Sequence, residues 1–270
     1  MTTQPASSRR GPVIAIIAIA VLVAAIGGAW YLFFRPAGPA PVSLGSAAPT
    51  VTAPAAEPTG APATAGSSAA ATAAAPGSSQ DAAVEGGISG TWTVDPSVGS
   101  FDDFSGSFVG YRVKETLASI GATEAVGRTP AVTGSMTVDG SAITAAEFSA
   151  DLTGLRSDSD RRDGQLRRQA LETEQFPTAS FKLTAPVDLG SEPAEGATVE
   201  ATAIGDLTLH GVTKAVEIPL QARLQGGVVT VAGSLPIAFA DYAIAKPESM
   251  MVLSVEDAGT LEVQLQLTKG

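Results

Sequence analysis

The sequence predicts an all-β, antiparallel fold that closes as a barrel or a sandwich. A membrane-spanning helix and a disordered linker precede it. Three observations carry this. Apolar and polar residues alternate with period 2 through much of residues 90–270. Turn dipeptides separate these runs, with no regular strand–helix–strand rhythm. The composition before residue 90 is of two other kinds, one a long apolar run and the other rich in Ala, Pro, Ser and Thr.

The first element is residues 13–34, 22 residues without a charge. At a helical rise this run is roughly 33 Å long, enough for a hydrocarbon core of ~30 Å. Arg9 and Arg10 precede it and Arg35 follows, so the positive-inside rule leaves residues 1–12 as a cytoplasmic tail. Trp30, Tyr31, Phe33 and Phe34 crowd the far end, the interfacial position that aromatic rings favour. A cleaved signal peptide is the alternative, with a cut near Gly27 or Ala29. The bulky Trp30–Phe34 run occupies the place where a cleavage site needs small residues. The expectation is a single-pass signal anchor in the cytoplasmic membrane, with the rest of the chain outside.

The second element is residues 35–89. From residue 36 onward it has no Lys, Arg, Phe, Tyr or Trp, and its only Leu and Ile are Leu44 and Ile88. So little apolar surface cannot offset ~1–2 kcal/mol of entropy per ordered residue. The segment reads as a disordered tether, partly polyproline II. Its Ser, Thr and Pro permit O-glycosylation as a compositional possibility, and a plain spacer is the preferred reading.

The third element, residues 90–270, holds 13 basic and 24 acidic residues, which is the whole net charge of −11. Leu261, Val263, Leu265 and Leu267 alternate with polar residues as a half-buried strand. Val216, Ile218, Leu220, Ala222 and Leu224 do the same, as do Ala179, Phe181, Leu183 and Ala185. Phe148, Ala150 and Leu152 suggest a fourth face; Trp92 with Val94, and residues 108–113, suggest two more strands. Asp139-Gly140 and Gly226-Gly227 read as two-residue hairpin turns, and residues 210–213 join two further strands, 199–209 and 215–225. The segment 157–171 lacks strand alternation. There Asp158 or Ser159 caps a short helix with Leu166 and Ala170 on one face, and Gly164 weakens it.

Composition excludes several chemistries. Without cysteine there is no disulfide, thiol nucleophile or cysteine metal site, and a single histidine rules out a multi-histidine metal centre. A pI near 4.5 argues against nucleic acid as a partner. No P-loop, dinucleotide-binding glycine motif or Gly-x-Ser-x-Gly occurs, and no two carboxylates stand out as an acid–base pair. No metal or cofactor is expected. His210, next to Gly211, reads as a hairpin residue at a rim rather than a general base. Arg161, Arg162, Arg167 and Arg168 form a local basic cluster. It suits an anionic head group, or simply a solvated face paired with Asp158, Asp160 and Asp163.

Four stretches resemble the YceI-like family, the polyisoprenoid-binding domain of bacterial envelopes. They are GTWTVDPS at 90–97 with Ser100 and Phe101, LTGLRSDSDRRDGQL at 152–166, QFPTASF at 175–181, and LTLHGVTK at 207–214. The last is the most specific. Two places depart from the family pattern: Gln165 stands where members often carry His, and Ala170-Leu171 lack a nearby aromatic. The anchor and long tether also differ from members exported with a cleaved signal peptide.

The resemblance implies a lipocalin-like antiparallel barrel of about eight strands with one short helix, whose lumen takes a long apolar chain. Alternation nominates Phe148, Leu152, Phe181, Leu183, Ile218, Leu220, Leu265 and Leu267 as lumen residues. The arginine cluster is the head-group candidate. The expected function is membrane-tethered sequestration of an isoprenoid or similar lipid, without catalysis. The alternatives are an envelope interaction or stress protein with a solidly packed barrel, and a barrel enzyme using His210.

Overall fold

Alternation becomes pairing at β1 (Gly90–Val94), whose Trp92 and Val94 are buried while Thr91 and Thr93 are exposed. The computed structural model describes residues 38–45, 87–119, 121–247 and 252–270. The chain continues through β2 (Phe108–Leu117), β3 (Gly121–Thr129), β4 (Val132–Asp139), β5 (Ala142–Asp151) and the short β6 (Arg156–Ser157). Helix α1 (Asp160–Gln165) follows and runs into a π-helical turn at Leu166–Ala170. Then come β7 (Thr178–Leu183), β8 (Val187–Asp188), β9 (Thr198–Leu209), β10 (Val212–Gln225) and β11 (Val228–Ala238). A 3₁₀ turn (Phe239–Tyr242), β12 (Val252–Val255) and β13 (Ala258–Lys269) complete the chain. The described residues from 41 to 270 form one compact unit.

The order β1-β4-β5-β7-β9-β10-β11-β13 closes on itself, because β1 also pairs with β13. All these ladders are antiparallel, so the result is a closed eight-stranded barrel with one short helix. One edge of β13 pairs with β11 and the other serves two neighbours: Leu267–Lys269 pair with β1, and Thr260–Gln264 pair with β2, whose hairpin with β3 extends that end of the wall. Closure satisfies strand edges without disulfides. The tail, the apolar run 13–34 and residues 46–86 lie outside the described residues. Among those described, no helix is long and apolar enough to cross a membrane.

The turns follow their chemistry. Gly226 and Gly227 both have positive φ, and so do His210 and Gly211, as two-residue type I′ hairpins require. The expected Asp139-Gly140 turn sits one residue later. Asp139 pairs with Ala142, leaving Gly140-Ser141 as the loop, and only Gly140 has positive φ, the type II′ pattern. Ser159 caps α1, its hydroxyl accepting from the Arg162 amide. The strand expected through Ala185 ends at Leu183.

The polar face of β13 is where the structure departs most from simple alternation. Glu262, Gln264 and Gln266 point away from the lumen yet are 1 % exposed. The loop between β1 and β2 covers this face. Gln264 Nε2 donates to the carbonyls of Phe104 and Gly106, both at 2.8 Å, and Gln266 Nε2 donates to that of Ser105 at 2.8 Å. Glu262 accepts from Arg112 Nε at 3.1 Å and Arg128 Nη2 at 2.9 Å. Period-2 reading finds the side a residue faces, but not what later folds over that side.

Near the tether, Ile88 is buried in the core. Its carbonyl accepts from Trp92 Nε1 and its amide donates to Glu192 Oε1. The folded region therefore begins by residue 87, inside the segment expected as linker.

Candidate functional site

The inward faces of the barrel leave two cavities. The first, of about 150 Å³, is walled by Phe148, Phe181, Leu183, Ile218, Leu220 and Leu265 together with Ile88, Met136, Val231 and other apolar side chains. The second, of about 290 Å³, lies beside α1. It is walled by Tyr111, Val113, Leu152, Leu155, Leu166, Ile237 and Phe239, with Glu115, Arg161, Arg162, Gln165 and Lys246 as its polar members. Val109, Ala179 and Leu261 line both, so the cavities share a wall.

The space arises from glycines facing large side chains. Tyr111 pairs with Gly127, and a Cβ there would lie 2.4 Å from the Tyr111 ring. A Cβ on Gly205 would lie 2.5 Å from the Phe181 ring, and one on Gly233 would lie 2.3 Å from Leu220 Cδ2. Each large inward side chain therefore lies over a bare stretch of its neighbour strand. The walls stay apolar while the lumen stays open.

Of the eight residues nominated from alternation, six line the first cavity and Leu152 lines the second. Leu267 does not line either. It is fully buried where β13 pairs with β1, next to Trp92, and is part of the packed core. Tyr111, Val109, Met136, Ile237 and Phe239 are lining residues that the sequence reading did not single out. For Val109 and Tyr111 the signal existed in the run 108–113, whose inward face alternation alone did not assign.

The arginine cluster is divided. Arg161 and Arg162 line the second cavity. Arg162 donates to Glu115 Oε1 at 2.8 Å and pairs with Asp158. Burial works against its charge, but Glu115 and Asp158 outweigh that and hold its pKa above the ordinary guanidinium value. Arg167 donates to the Leu155 carbonyl at 3.2 Å, and the Arg168 guanidinium lies over Gly164. Asp163, 3 % exposed, accepts from the Ser157 amide and hydroxyl and ties α1 to β6. The charges at this end are thus largely paired within the protein. The Tyr111 hydroxyl has no hydrogen-bond partner among the described residues, and burial pushes its pKa up.

His210 lines neither cavity. Its Nδ1 donates to the Tyr242 carbonyl at 3.0 Å, its Nε2 lies 3.0 Å from Glu172 Oε2, and Phe176 packs edge-on against the ring. Both ring nitrogens are committed to joining the β9–β10 turn, the segment after the helix and the 3₁₀ turn. This arrangement supports a structural clamp and offers no nucleophile. No cluster of potential metal ligands occurs among the described residues.

Comparison with known proteins bears on the fold and the family. A polyisoprenoid-binding domain from Saccharophagus degradans, implicated in plant cell wall breakdown, superposes with a TM-score of 0.51 at 19% identity. The match covers 67% of this chain and 99% of that one. BcnA of Burkholderia cenocepacia gives a TM-score of 0.45 at 17% identity, covering 58% of this chain and 95% of its own. The Campylobacter jejuni YceI protein gives 0.43 at 15% identity, covering 53% and 84%. No curated protein matches the sequence significantly. The model of the YceI-like domain matches residues 92–267, nearly the whole barrel, and the chain belongs to the YceI-like family.

Proposed function

We propose that this protein binds a long apolar lipid, of isoprenoid type, inside the barrel and releases it unchanged. The observation that carries this is the pair of adjoining cavities with almost wholly apolar walls in a closed barrel. An apolar chain gains ~0.8 kcal/mol per buried CH₂, so affinity there needs few polar contacts. The S. degradans relative, described as a polyisoprenoid-binding domain, supports the ligand class. The interior is not solidly packed, which weighs against a purely structural barrel. His210 is committed elsewhere, which weighs against a barrel hydrolase.

We further propose that residues 13–34 anchor the chain in the cytoplasmic membrane, with the barrel on the extracytoplasmic side. What supports this is the uncharged 22-residue run with its flanking arginines and far-end aromatics. The arginine-lined end of the second cavity is the proposed site of a lipid head group, with Arg161 and Arg162 nearest.

Native mass spectrometry of detergent-solubilised protein is the test. A co-purifying lipid, or uptake of added polyprenol, is the expected result. A barrel that is empty and takes up no isoprenoid overturns the proposal. N-terminal sequencing of the membrane-extracted chain tests the anchor, and a start between residues 27 and 39 overturns it.

A further inference from the structure

We propose that residues 41–45 are a clasp that fastens the linker to the outer wall of the barrel and so shortens the tether. The consequence for tether length rests on the anchoring reading above; the clasp itself does not.

The receiving surface is a row of outward-facing residues. Thr202 on β9 pairs with Pro219 on β10. Leu220 pairs with Gly233, which sets Ser234 of β11 beside Pro219, and Ser234 pairs with Glu262 on β13. Thr202, Pro219 and Ser234 have short side chains, and with Ala232 they leave a groove across three strands. Val42 and Ser43 line that groove. The Val42 amide donates to Glu262 Oε1 at 3.2 Å, and Leu44, two residues on, is 5 % exposed.

Glu262 is prepared for this contact. Its pairing partner Gly110 has no side chain, so Arg128 reaches across the strand to it; a Cβ at Gly110 would lie 2.7 Å from Arg128 Cγ. Arg112 and Arg128 hold the carboxylate in place, and the Val42 amide adds a third donor. A charged acceptor with fixed geometry, beside a groove of small residues, suits an extended backbone and few other ligands.

Chain arithmetic supplies the consequence. Val42 is eight residue steps from Phe34, so the clasp lies at most ~28 Å of chain from the end of the apolar run. Without the clasp, the 52 residues from 35 to 86 would span about 40 Å root-mean-square as a coil, with a contour of roughly 180 Å. With the clasp closed, the distance to the bilayer no longer depends on residues 46–86. The chain rejoins the barrel at Gly87, whose carbonyl accepts from Lys269 Nζ at 3.0 Å. The barrel is thereby kept near the bilayer, where an apolar ligand resides.

The absence of cysteine makes the test clean. In the full chain, Leu44→Cys is labelled with a maleimide and compared with Ser67→Cys in the linker. Leu44→Cys is expected to react at least about tenfold more slowly, because reaction requires local opening. Adding Val42→Pro removes the amide donor and leaves every barrel residue unchanged; it is expected to bring the rate up to that of the linker. Equal rates without Val42→Pro, or protection that survives it, overturn the clasp. The melting curve of the barrel in each variant confirms that it is folded.

Tether length is read separately. A donor on Ser191→Cys reports energy transfer to acceptor lipid in phosphatidylcholine vesicles. Transfer is expected to fall when Val42→Pro is added. Unchanged transfer overturns the shortened tether. Failure of the chain to float with vesicles overturns the anchor and the shortening with it, while the thiol protection still decides the clasp.

Discussion

Filling the lumen from one inward position tests ligand placement directly. Ala203 is 5 % exposed, pairs with Ile218 and lines the first cavity. Ala203→Leu adds three carbons to a space of about 150 Å³. A ligand displaced by three CH₂ equivalents loses ~2.4 kcal/mol at ~0.8 kcal/mol each. That is a weakening of about 50-fold, since 1.4 kcal/mol is tenfold in Kd. Ala215 on β10 is exposed, so Ala215→Leu makes the same chemical change outside the barrel. The two variants are titrated with a fluorescent polyprenyl probe, and their stability is followed by urea unfolding. Overpacking sets a stability cost for Ala203→Leu of at most ~1–3 kcal/mol, so the fold is expected to survive. If both variants fold and bind the probe alike, the ligand does not occupy the first cavity and the reasoning from the apolar walls fails.

Tyr111→Phe removes a buried hydroxyl that has no partner, so urea unfolding of the ligand-free protein should show a gain of about 1 kcal/mol. Arg128→Met takes one guanidinium from the buried Glu262 carboxylate and from its stacking over Phe104 and Phe108; a loss of about 3 kcal/mol is expected in the same assay. His210→Ala should lower stability by ~1–3 kcal/mol through its lost hydrogen bonds, with probe affinity unchanged, whereas His210→Gly should recover part of the loss because His210 has φ of 51°. Hydrogen bonds from Ser97, Ser105 and Thr153 hold the carboxyls of Asp95, Asp103 and Asp151 below their ordinary 3.8. Their contribution is therefore full above pH 3.8 and is lost as pH falls through the lowered folded values, so thermal melting should be flat down to about pH 4 and then drop, less steeply in Asp95→Asn.

How far the sequence could be read depended on what each residue has as a neighbour. Strands such as β10 and β13 were legible because one face meets an apolar interior along their length, so alternation is unbroken. β3 (GATEAVGRT) was not, because its inward positions are Ala125, Gly127 and Thr129, small residues lying beneath side chains of β2. Gly127 is uninformative until Tyr111 is seen over it. The same holds for the head-group end. The arginines were visible as a cluster, but Glu115, which Arg162 pairs with, is 47 residues away and had no local signal. Leu267 shows the limit of register: it alternates correctly, but it pairs with Val94 of β1 and lies in the packed core that also holds Trp92.

These failures share a cause that bears on how the barrel holds together. A barrel that keeps two cavities forfeits interior contacts that a packed core would have. It has no disulfide to offset this. The compensation lies outside the ring, on the polar face of β13. There the loop after β1 lays Phe104 over Arg128, whose guanidinium is 4.5 Å from that ring and 4.2 Å from the Phe108 ring. The carbonyls of the same loop accept from the side-chain amide nitrogens of Gln264 and Gln266. Buried polar groups satisfied in this way fix one arrangement and resist slippage of strand register. Rigidity placed on the outer wall leaves the inner wall free to stay open, and this division explains why the most buried glutamate and glutamines among the described residues face away from the cavities.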